Sequence, residues 1–492
     1  MPFRLLIVTS YRVFREALAD VLDRETGLAR PRPPNQHQPT SRSDPRTPSP
    51  RNIETCPGSG HRQLVFGSVR AVRQLGLNDS ALNGGPVRTA AERAHARSGR
   101  CVRGRPRQAC SLAQADYRSK ILAAKKSVQL SGVVVAQSAI SSIDAEEGVL
   151  MYRGYDIAEL AEQSTYEEVA FLLLHGELPT SAELAAFGEQ LGQRALPSNV
   201  AEIVDEAGST AVPMDVLRTA VSALAFSDPD RSRSDRDAGL RKAARLAAQL
   251  PTIIARFHRR RGGLEPIDPD ASLSYAENFL TMLHGEQPTQ EAARAFDIAM
   301  ILHAEHEMNA STFAARVVTG TGADMHAAIV AGIAALSGPL HGGANEAAMK
   351  LFERFGSAEQ TPDEVRVILE RKEKLHGFGH PLYRAYDPRA TILKRISREF
   401  SEEGGEPNWF AITEAAEKTV FEEKGLYPNV DLYSASVYTY LGIPTDLFSP
   451  IFAASRVVGQ SAHVLEQQAD NRIIRPSSEY VGPGRRNFPV RT

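Results

Sequence analysis

The chain contains 492 residues with a formal net charge of −2, of which 42% are hydrophobic and 24% are charged. This composition is typical of a soluble globular protein and excludes a wholly disordered or collagen-like chain. The charge is uneven, because basic residues outnumber acidic ones by more than two to one in residues 1–120, whereas acidic residues predominate in the rest. This split indicates a basic arm and an acidic body, within a length that allows two to four domains.

The basic arm comprises residues 1–127. Residues 29–60 combine Pro, Arg, Ser and Gly in a composition that cannot bury a core, and the first lysine of the chain is Lys120. We therefore predict a largely disordered extension or a mis-assigned start. The alternative is a nucleic-acid-binding arm, and with it a regulatory protein. All three cysteines lie in the arm, so a disulfide or a thiolate metal site within the body is excluded: Cys56, Cys101 and Cys110.

Helical patterning begins near Val128 and continues through the body. Thr165, Thr180 and Thr361 each precede a Glu by three residues, which is the capping-box pattern found at the start of helices. Alternation of apolar and polar residues, the signal of a half-buried strand, is nearly missing after residue 135. The sequence therefore predicts a mostly α-helical body with one short strand at 132–136.

Residues 323–336 are predicted to form a helix rich in Ala and Gly, as in helices buried between close neighbours. The longest run of small apolar residues, 327–340, is shorter than the roughly 20 residues that a membrane span needs. The apolar stretch after Arg4 is too short for a secretory signal. We therefore expect a cytoplasmic protein without a membrane partner.

The first segment with unusual chemistry is residues 303–309, HAEHEMN. His303 and His306 stand three residues apart on a predicted helix, so both rings are expected to face one ligand. This is not the spacing of the HExxH zinc motif. Three interpretations stay open: an exposed polar helix end, a substrate site and a metal site.

The second segment places His341 among glycines where one predicted helix ends and the next begins, with Asn345 as the expected N-cap. A neutral imidazole at a helix N-terminus can donate a hydrogen bond to a developing oxyanion. The alternative is a turn that contains a histidine with no chemical role.

The third segment, residues 377–389, presents His380, Arg384 and Arg389 on a Gly-rich loop, a pattern that favours a carboxylate or phosphate ligand. In the fourth segment Asp431 opens a helix, either as its N-cap or as a catalytic base. Arg456 lies inside an apolar helix and needs an anionic partner. Arg475 lies in a polar tail.

Together these residues predict an anion site beside an acid–base set. Arg389, Arg456 and Arg475, with His306, would bind carboxylates. His341, His380 and Asp431 would supply proton transfer. Anion binding, carbonyl polarisation and one carboxylate base suit proton abstraction next to a carbonyl group.

Four motifs resemble the citrate synthase family, in its shorter bacterial dimeric form: GPLHGGANE, GFGHPLYRAYDPR, PNVDLYSASVY and NRIIRPSSEYVGP. The resemblance covers roughly three quarters of the chain, from about Val128 to the end, and leaves residues 1–127 without a counterpart. It implies a mostly α, two-domain helical fold. The large domain would comprise residues 128–341 plus 437–492, and the small domain residues 342–436.

The resemblance also implies a reaction, in which acetyl-CoA, oxaloacetate and water give citrate and CoA. Oxaloacetate would bind the residues His306, His380, Arg389, Arg456 and, from the second copy of a homodimer, Arg475. Acetyl-CoA would lie over the loop before His380, with CoA contacts from Lys374, Gly377, Gly379 and Arg384. Asp431 would be the base, His341 would stabilise the enolate and His380 would protonate the carbonyl oxygen. No cofactor and no metal are implied.

A second substrate choice stays open within the same family. A 2-methylcitrate synthase uses propionyl-CoA, and one additional methylene typically changes discrimination by only about 1–3 kcal/mol. Motifs that both enzymes share therefore do not separate them. The residues after Asp431, LYSASVY, are more similar to those of the citrate-forming enzymes.

Overall fold

The computed structural model describes residues 130, 132–402, 404 and 407–488. The predicted basic extension, residues 1–127, lies outside the described residues. The predicted mostly helical character of the body is confirmed.

A small antiparallel sheet opens the described part of the chain. Its strands are β1 (Ser141–Asp144), β2 (Val149–Tyr152) and β3 (Tyr155–Asp156), in the order β1-β2-β3. The strand predicted at 132–136 is wrong, because those residues pair with no other strand. Val134, at the centre of that run, is 87% exposed. A run of β-branched residues favours extended backbone, but a strand also needs a partner.

Sixteen α-helices follow within the described residues, together with one 3₁₀ helix at Thr445–Leu447. In chain order the α-helices are α1 Ile157–Gln163, α2 Tyr166–His175, α3 Ser181–Leu191, α4 Ser198–Asp205, α5 Pro213–Leu224, α6 Arg236–Arg261, α7 Tyr275–His284, α8 Gln290–His303, α9 Ala310–Gly320, α10 Met325–Leu336, α11 Ala344–Phe355, α12 Thr361–Glu370, α13 Pro388–Glu402, α14 Trp409–Lys424, α15 Val430–Tyr440 and α16 Phe448–Ala469.

Two of the three predicted capping boxes are confirmed. The Thr165 and Thr180 side chains each accept the backbone N–H of the Glu three residues later, and each Glu accepts the threonine N–H in return. The third, at Thr361, is wrong: α12 begins at Thr361 itself, and its hydroxyl donates to the Ser357 carbonyl. Thr361 thus lies one residue inside the helix, where its hydroxyl bonds backward.

Helix α16 forms the centre of the core, since every residue from Phe448 to Leu465 is buried. It packs against α6, α9 and α10. The predicted helix of small residues is α10, which buries one face while Ala327 and Ala334 stay exposed in the single chain. Arg456 therefore lies in the most deeply buried helix of the described chain.

Helices α11 to α15 pack mainly among themselves, with α13 and α11 against α15 and α12 against α14. The segments that connect these helices carry the third and fourth chemical motifs of the sequence. The expected division into domains at residues 342–436 stays a prediction.

We expect Thr165→Ala to destabilise the protein by about 1 kcal/mol, because it removes the hydroxyl that caps α2. The matched control Thr165→Ser keeps the hydroxyl and should melt close to the unaltered protein. Thermal denaturation at a fixed scan rate measures both variants. Equal melting of Thr165→Ala and Thr165→Ser would contradict the capping role.

Candidate active site

The structure brings the histidines of the first and third segments together. The ring centroids of His306 and His380 are 5.0 Å apart, and Tyr383 contacts both rings. His306 Nε2 lies 3.2 Å from the Tyr383 hydroxyl. His306 is buried, and burial together with the charge of Arg389 lowers its pKa well below the usual value.

The expectation that His303 and His306 share one helix face is wrong. Helix α8 ends at His303, and Glu307 has a φ of 53°, in the left-handed region that helices exclude. His303 Nδ1 lies 2.7 Å from the Ala299 carbonyl inside the helix, whereas His306 belongs to the following turn. In the described part of the chain, no group of three or more His, Cys, Asp and Glu residues could hold a metal ion.

His380 is held in one tautomer by its own loop. Its Nδ1 accepts the backbone N–H groups of Leu382 at 3.1 Å and Tyr383 at 3.3 Å. An acceptor nitrogen carries no proton, so the proton lies on Nε2. Burial, then the charge of Arg389, lowers the pKa of His380 to about 4. His380 is therefore a neutral hydrogen-bond donor at neutral pH.

His341 is held at Nε2 by Ser311. The backbone N–H of Ser311, in the first turn of α9, is directed at His341 Nε2 from 3.3 Å, and Ser311 Oγ lies 2.9 Å from the same nitrogen. Ser311 Oγ also donates to Asn309 Oδ1 at 2.7 Å, so the position of the His341 ring is fixed by the start of α9. Burial and the charge of Arg456 lower the pKa of His341 to about 4, so this ring is also neutral. The sequence predicted Asn345 as the N-cap of α11, and this prediction is wrong. The helix begins at Ala344, its N-cap is Gly343, and Asn345 lies inside the first turn.

The glycine loop before His380 is joined to the start of α15. Asn429 N–H donates to the Gly377 carbonyl at 2.9 Å, and its side-chain amide donates to the Gly379 carbonyl, also at 2.9 Å. Gly377 has a φ of 89°, and a Cβ there would lie 2.7 Å from Leu432 Cδ1. Only glycine allows both this backbone conformation and this approach.

Asp387 joins the same two segments from inside the protein. Its carboxylate accepts two hydrogen bonds from the Arg389 guanidinium, at 3.0 and 2.8 Å. It also accepts the N–H of Val430, the first residue of α15, at 3.2 Å. Asp387 and Arg389 are both almost completely buried. His380, Arg389 and the start of α15 are thereby held as one unit.

Asp431 lies in the first turn of α15 and is not its N-cap. The cap is Asn429, whose side-chain oxygen accepts the Asp431 N–H at 3.0 Å. The Asp431 carboxylate makes no hydrogen bond to a described residue and is free to act on a ligand. Burial raises its pKa to about 6, opposed by the charges of Arg389 and Arg456. A carboxylate with a raised pKa is a stronger base than an exposed one.

Arg456 is a buried cation whose contacts are to uncharged groups of the described chain. Its guanidinium lies 4.6 Å from the centroid of the Phe452 ring, and its Nε donates to the His303 carbonyl at 2.6 Å. No carboxylate of the described residues forms an ion pair with it, although it is 1% exposed. A buried arginine in this state favours an anionic ligand.

The charged residues expected to contact CoA, and the tail arginine, lie at the surface of the described chain. Lys374, Arg384 and Arg475 are exposed, and Arg475 follows α16 in irregular backbone. Sequence reasoning gave no role to Tyr383 and did not consider Ser311 or Phe452. Tyr383 lies within the third motif, so its position gave a local signal. The other two are ordinary helix residues without one.

Residues 129–477 match the family model described as "Citrate synthase, C-terminal domain". The chain belongs to the citrate synthase family. It is therefore an enzyme of the citrate synthase type, an acyltransferase. Nothing in the comparisons supports the alternative of a nucleic-acid-binding regulator.

Named relatives of both substrate types resemble this citrate synthase family member. A citrate synthase of Haloferax volcanii is 46% identical over 359 residues, which are 72% of this chain and 95% of the relative. A 2-methylcitrate synthase of Shewanella oneidensis is 43% identical over 355 residues, 72% of this chain and 94% of that protein. A solved ternary complex of carboxymethyl coenzyme A and oxaloacetate with citrate synthase from Thermoplasma acidophilum is 33% identical, with a TM-score of 0.70 over 74% of this chain and 98% of that one.

We expect Gly377→Ala to lower both stability and activity, because the new methyl group overlaps Leu432 and the left-handed backbone costs about 1–3 kcal/mol for a non-glycine residue. Gly154→Ala is the matched control, since Gly154 has a φ of 91° but open space around a Cβ. Thermal melting and kcat are measured for both. If Gly377→Ala keeps the kcat of the control, the loop does not position His380 and Asp431.

Proposed function

We propose that this enzyme condenses acetyl-CoA with oxaloacetate and water to give citrate and CoA, the first step of the tricarboxylic acid cycle. The observation that carries the proposal is a matched set of protonation states. Asp431 is a carboxylate with a pKa of about 6, and His341 and His380 are neutral imidazoles. His380 carries its proton on Nε2, and we assign the proton of His341 to Nδ1. This set suits removal of a carbon-bound proton and donation to two different oxygens.

Oxaloacetate is a dianion, and we assign its binding to His306, His380, Arg389 and Arg456. Arg456 forms no ion pair within the described part of the chain, which leaves its guanidinium for a substrate carboxylate. Arg389 shares its charge with Asp387, so its remaining N–H donors would complete the site. The solved ternary complex with the Thermoplasma acidophilum enzyme, which contains oxaloacetate, supports this choice of substrate.

The chemical step uses the three groups together. Asp431 removes a proton from the methyl group of acetyl-CoA while His341 Nδ1–H donates a hydrogen bond to the thioester oxygen, which becomes the enolate oxygen. Such donors contribute about 3–4 kcal/mol each to the transition state. The enolate carbon attacks the oxaloacetate carbonyl carbon, and His380 Nε2–H protonates the carbonyl oxygen. Water then hydrolyses citryl-CoA to citrate and CoA.

Neutral imidazoles suit this step better than imidazolium ions. A neutral ring in a buried site donates a hydrogen bond without adding a positive charge that a neighbouring arginine would repel. Burial, followed by the charge of Arg456 at His341 and of Arg389 at His380, accounts for the neutral state of both rings. The positive charges of the site are then reserved for the substrate carboxylates.

The CoA contacts and the assembly are further parts of the proposal. Lys374 and Arg384 are exposed beside the Gly377–Gly379 loop, as contacts to CoA require, and residues 342–436 would close over the substrates. A homodimer would bring Arg475 of a second copy to the site. In support, Ile473 and Tyr480 are 66% and 77% exposed on either side of Arg475.

We assign the enzyme to the cytoplasm. Among the described residues, no helix combines the length and apolar character needed to cross a membrane.

Acetyl-CoA is expected to give the higher kcat/KM, with propionyl-CoA accepted more weakly, because one methylene changes discrimination by about 1–3 kcal/mol. Initial rates with each thioester, at saturating oxaloacetate, measure the ratio. A higher kcat/KM for propionyl-CoA would establish the alternative function, that of a 2-methylcitrate synthase. The 43% identity to the 2-methylcitrate synthase of Shewanella oneidensis is the observation that favours this alternative.

Asp431→Asn is expected to lower kcat at least about a hundredfold, because general-base catalysis typically contributes 10²–10⁴. In the unaltered enzyme the carboxylate must be ionised, so kcat/KM should fall about tenfold per pH unit below a pH of about 6. The pH profile of kcat/KM measures this limb. Asp363→Asn is the control and should keep full activity, because the Asp363 side chain, in the first turn of α12, is 88% exposed. Turnover of Asp431→Asn within tenfold of normal would overturn the base assignment.

A further inference from the structure

The proposed mechanism leaves one fully buried carboxylate without a role. Glu305 is 0% exposed and directly precedes His306. Its Oε1 accepts hydrogen bonds from Ser141 Oγ and His463 Nε2, each at 3.0 Å, while its Oε2 has no hydrogen-bond partner. A buried carboxylate is costly unless its charge is balanced, so its retention calls for a physical reason.

His463 does not balance the charge of Glu305. The Arg316 guanidinium donates to His463 Nδ1 at 3.0 Å, so the proton of the ring lies on Nε2 and the ring is neutral. The charge of Arg316 is in turn paired with Glu466, at 2.6 Å. The network around Glu305 therefore has one uncompensated negative charge.

The positive charge of Arg456 is likewise uncompensated, since no described carboxylate forms an ion pair with it. Arg456 and Glu305 are brought near each other where α16 packs beside the segment that follows α8. Arg456 Nε donates to the His303 carbonyl, two residues before Glu305. Gly459, one turn after Arg456, lies so close to Glu305 that a Cβ at this position would overlap Glu305 Oε2. The absence of a side chain at Gly459 permits this approach.

We infer that Glu305 is a positioning residue that balances the charge of Arg456 without forming an ion pair with it. The guanidinium can then stay buried while its hydrogen-bonding edge is left for a substrate carboxylate. A carboxylate in direct contact with Arg456 would compete with the substrate carboxylate. Without Glu305, the buried charge of Arg456 would have no negative charge near it. This inference rests on the proposed function, because it assigns Arg456 to oxaloacetate.

The same carboxylate also holds the turn that carries His306. Ser141 Oγ donates to Glu305 and accepts the N–H of Glu307 at 3.1 Å, which stabilises the left-handed backbone of Glu307. The Tyr152 hydroxyl donates to the Glu305 carbonyl at 2.7 Å. Two of the residues assigned to oxaloacetate are therefore placed next to Glu305: His306 directly follows it in the chain, and Arg456 donates to the carbonyl of His303, two residues before it.

A double-mutant cycle in the ligand-free protein tests the charge balance. Glu305→Gln keeps an oxygen that can accept from Ser141 and His463 but removes the charge, and Arg456→Met removes the cation. We expect E305Q to lower the thermal midpoint by at least about 3 °C in the unaltered background and by much less in the R456M background. Purification of a folded double variant where E305Q alone does not fold gives the same support.

Glu466→Gln is the matched control, because Glu466 belongs to the same network but pairs with Arg316. Its effect on melting should be equal in both backgrounds. An equal cost of E305Q in the two backgrounds overturns the inference, since Glu305 would then serve the His463 network alone.

Oxaloacetate supplies the second measurement. Oxaloacetate should raise the melting temperature of E305Q by more than that of the unaltered protein, because one repelling negative charge is gone. For the same reason, the KM of E305Q for oxaloacetate should be about threefold lower than that of the unaltered protein, with little change in the KM for acetyl-CoA. A smaller oxaloacetate-induced shift in E305Q overturns the inference. If oxaloacetate stabilises neither protein, the proposed function is at fault, and the cycle still decides the relation of Glu305 to Arg456.

Discussion

The site depends on the buried hydrogen bonds that the Asp387 carboxylate accepts. It binds Arg389 through two hydrogen bonds and the first N–H of α15 through a third, and all three groups are buried. Breaking a buried ion pair by removing one partner typically costs about 3–5 kcal/mol, so these segments have little freedom to separate. His380 and Asp431, which lie on either side of this contact in the chain, are consequently held at fixed positions.

A second constraint selects the position of the His380 proton. His380 uses Nδ1 to accept two backbone N–H groups of its own loop. Its Nε2 must then carry the proton and act as the donor. Burial beside arginine keeps both His380 and His341 neutral. In the proposed mechanism, the donor nitrogen of His380 is therefore selected by backbone groups of its own loop.

Local sequence signals predicted the helical class and the helix starts well where the cause was local. The capping boxes at Thr165 and Thr180 formed, since each needs only four consecutive residues. The prediction failed where a neighbour decided the outcome. The turn at Glu307 depends on Ser141, more than 160 residues away in the chain, so His303 and His306 could not be separated from their spacing alone.

The sequence by itself determined which side chains are candidates for the chemistry, because histidines and arginines in Gly-rich loops have no role in forming a hydrophobic core. It also determined the family through four long motifs. Only the tertiary structure decided how these groups are paired: Arg389 with Asp387, His341 with Ser311, and Arg456 with the His303 carbonyl and no ion-paired carboxylate among the described residues. The physical reason is that ion pairing and proton position depend on contacts between distant segments, and the periodicity of a helix contains no information about them.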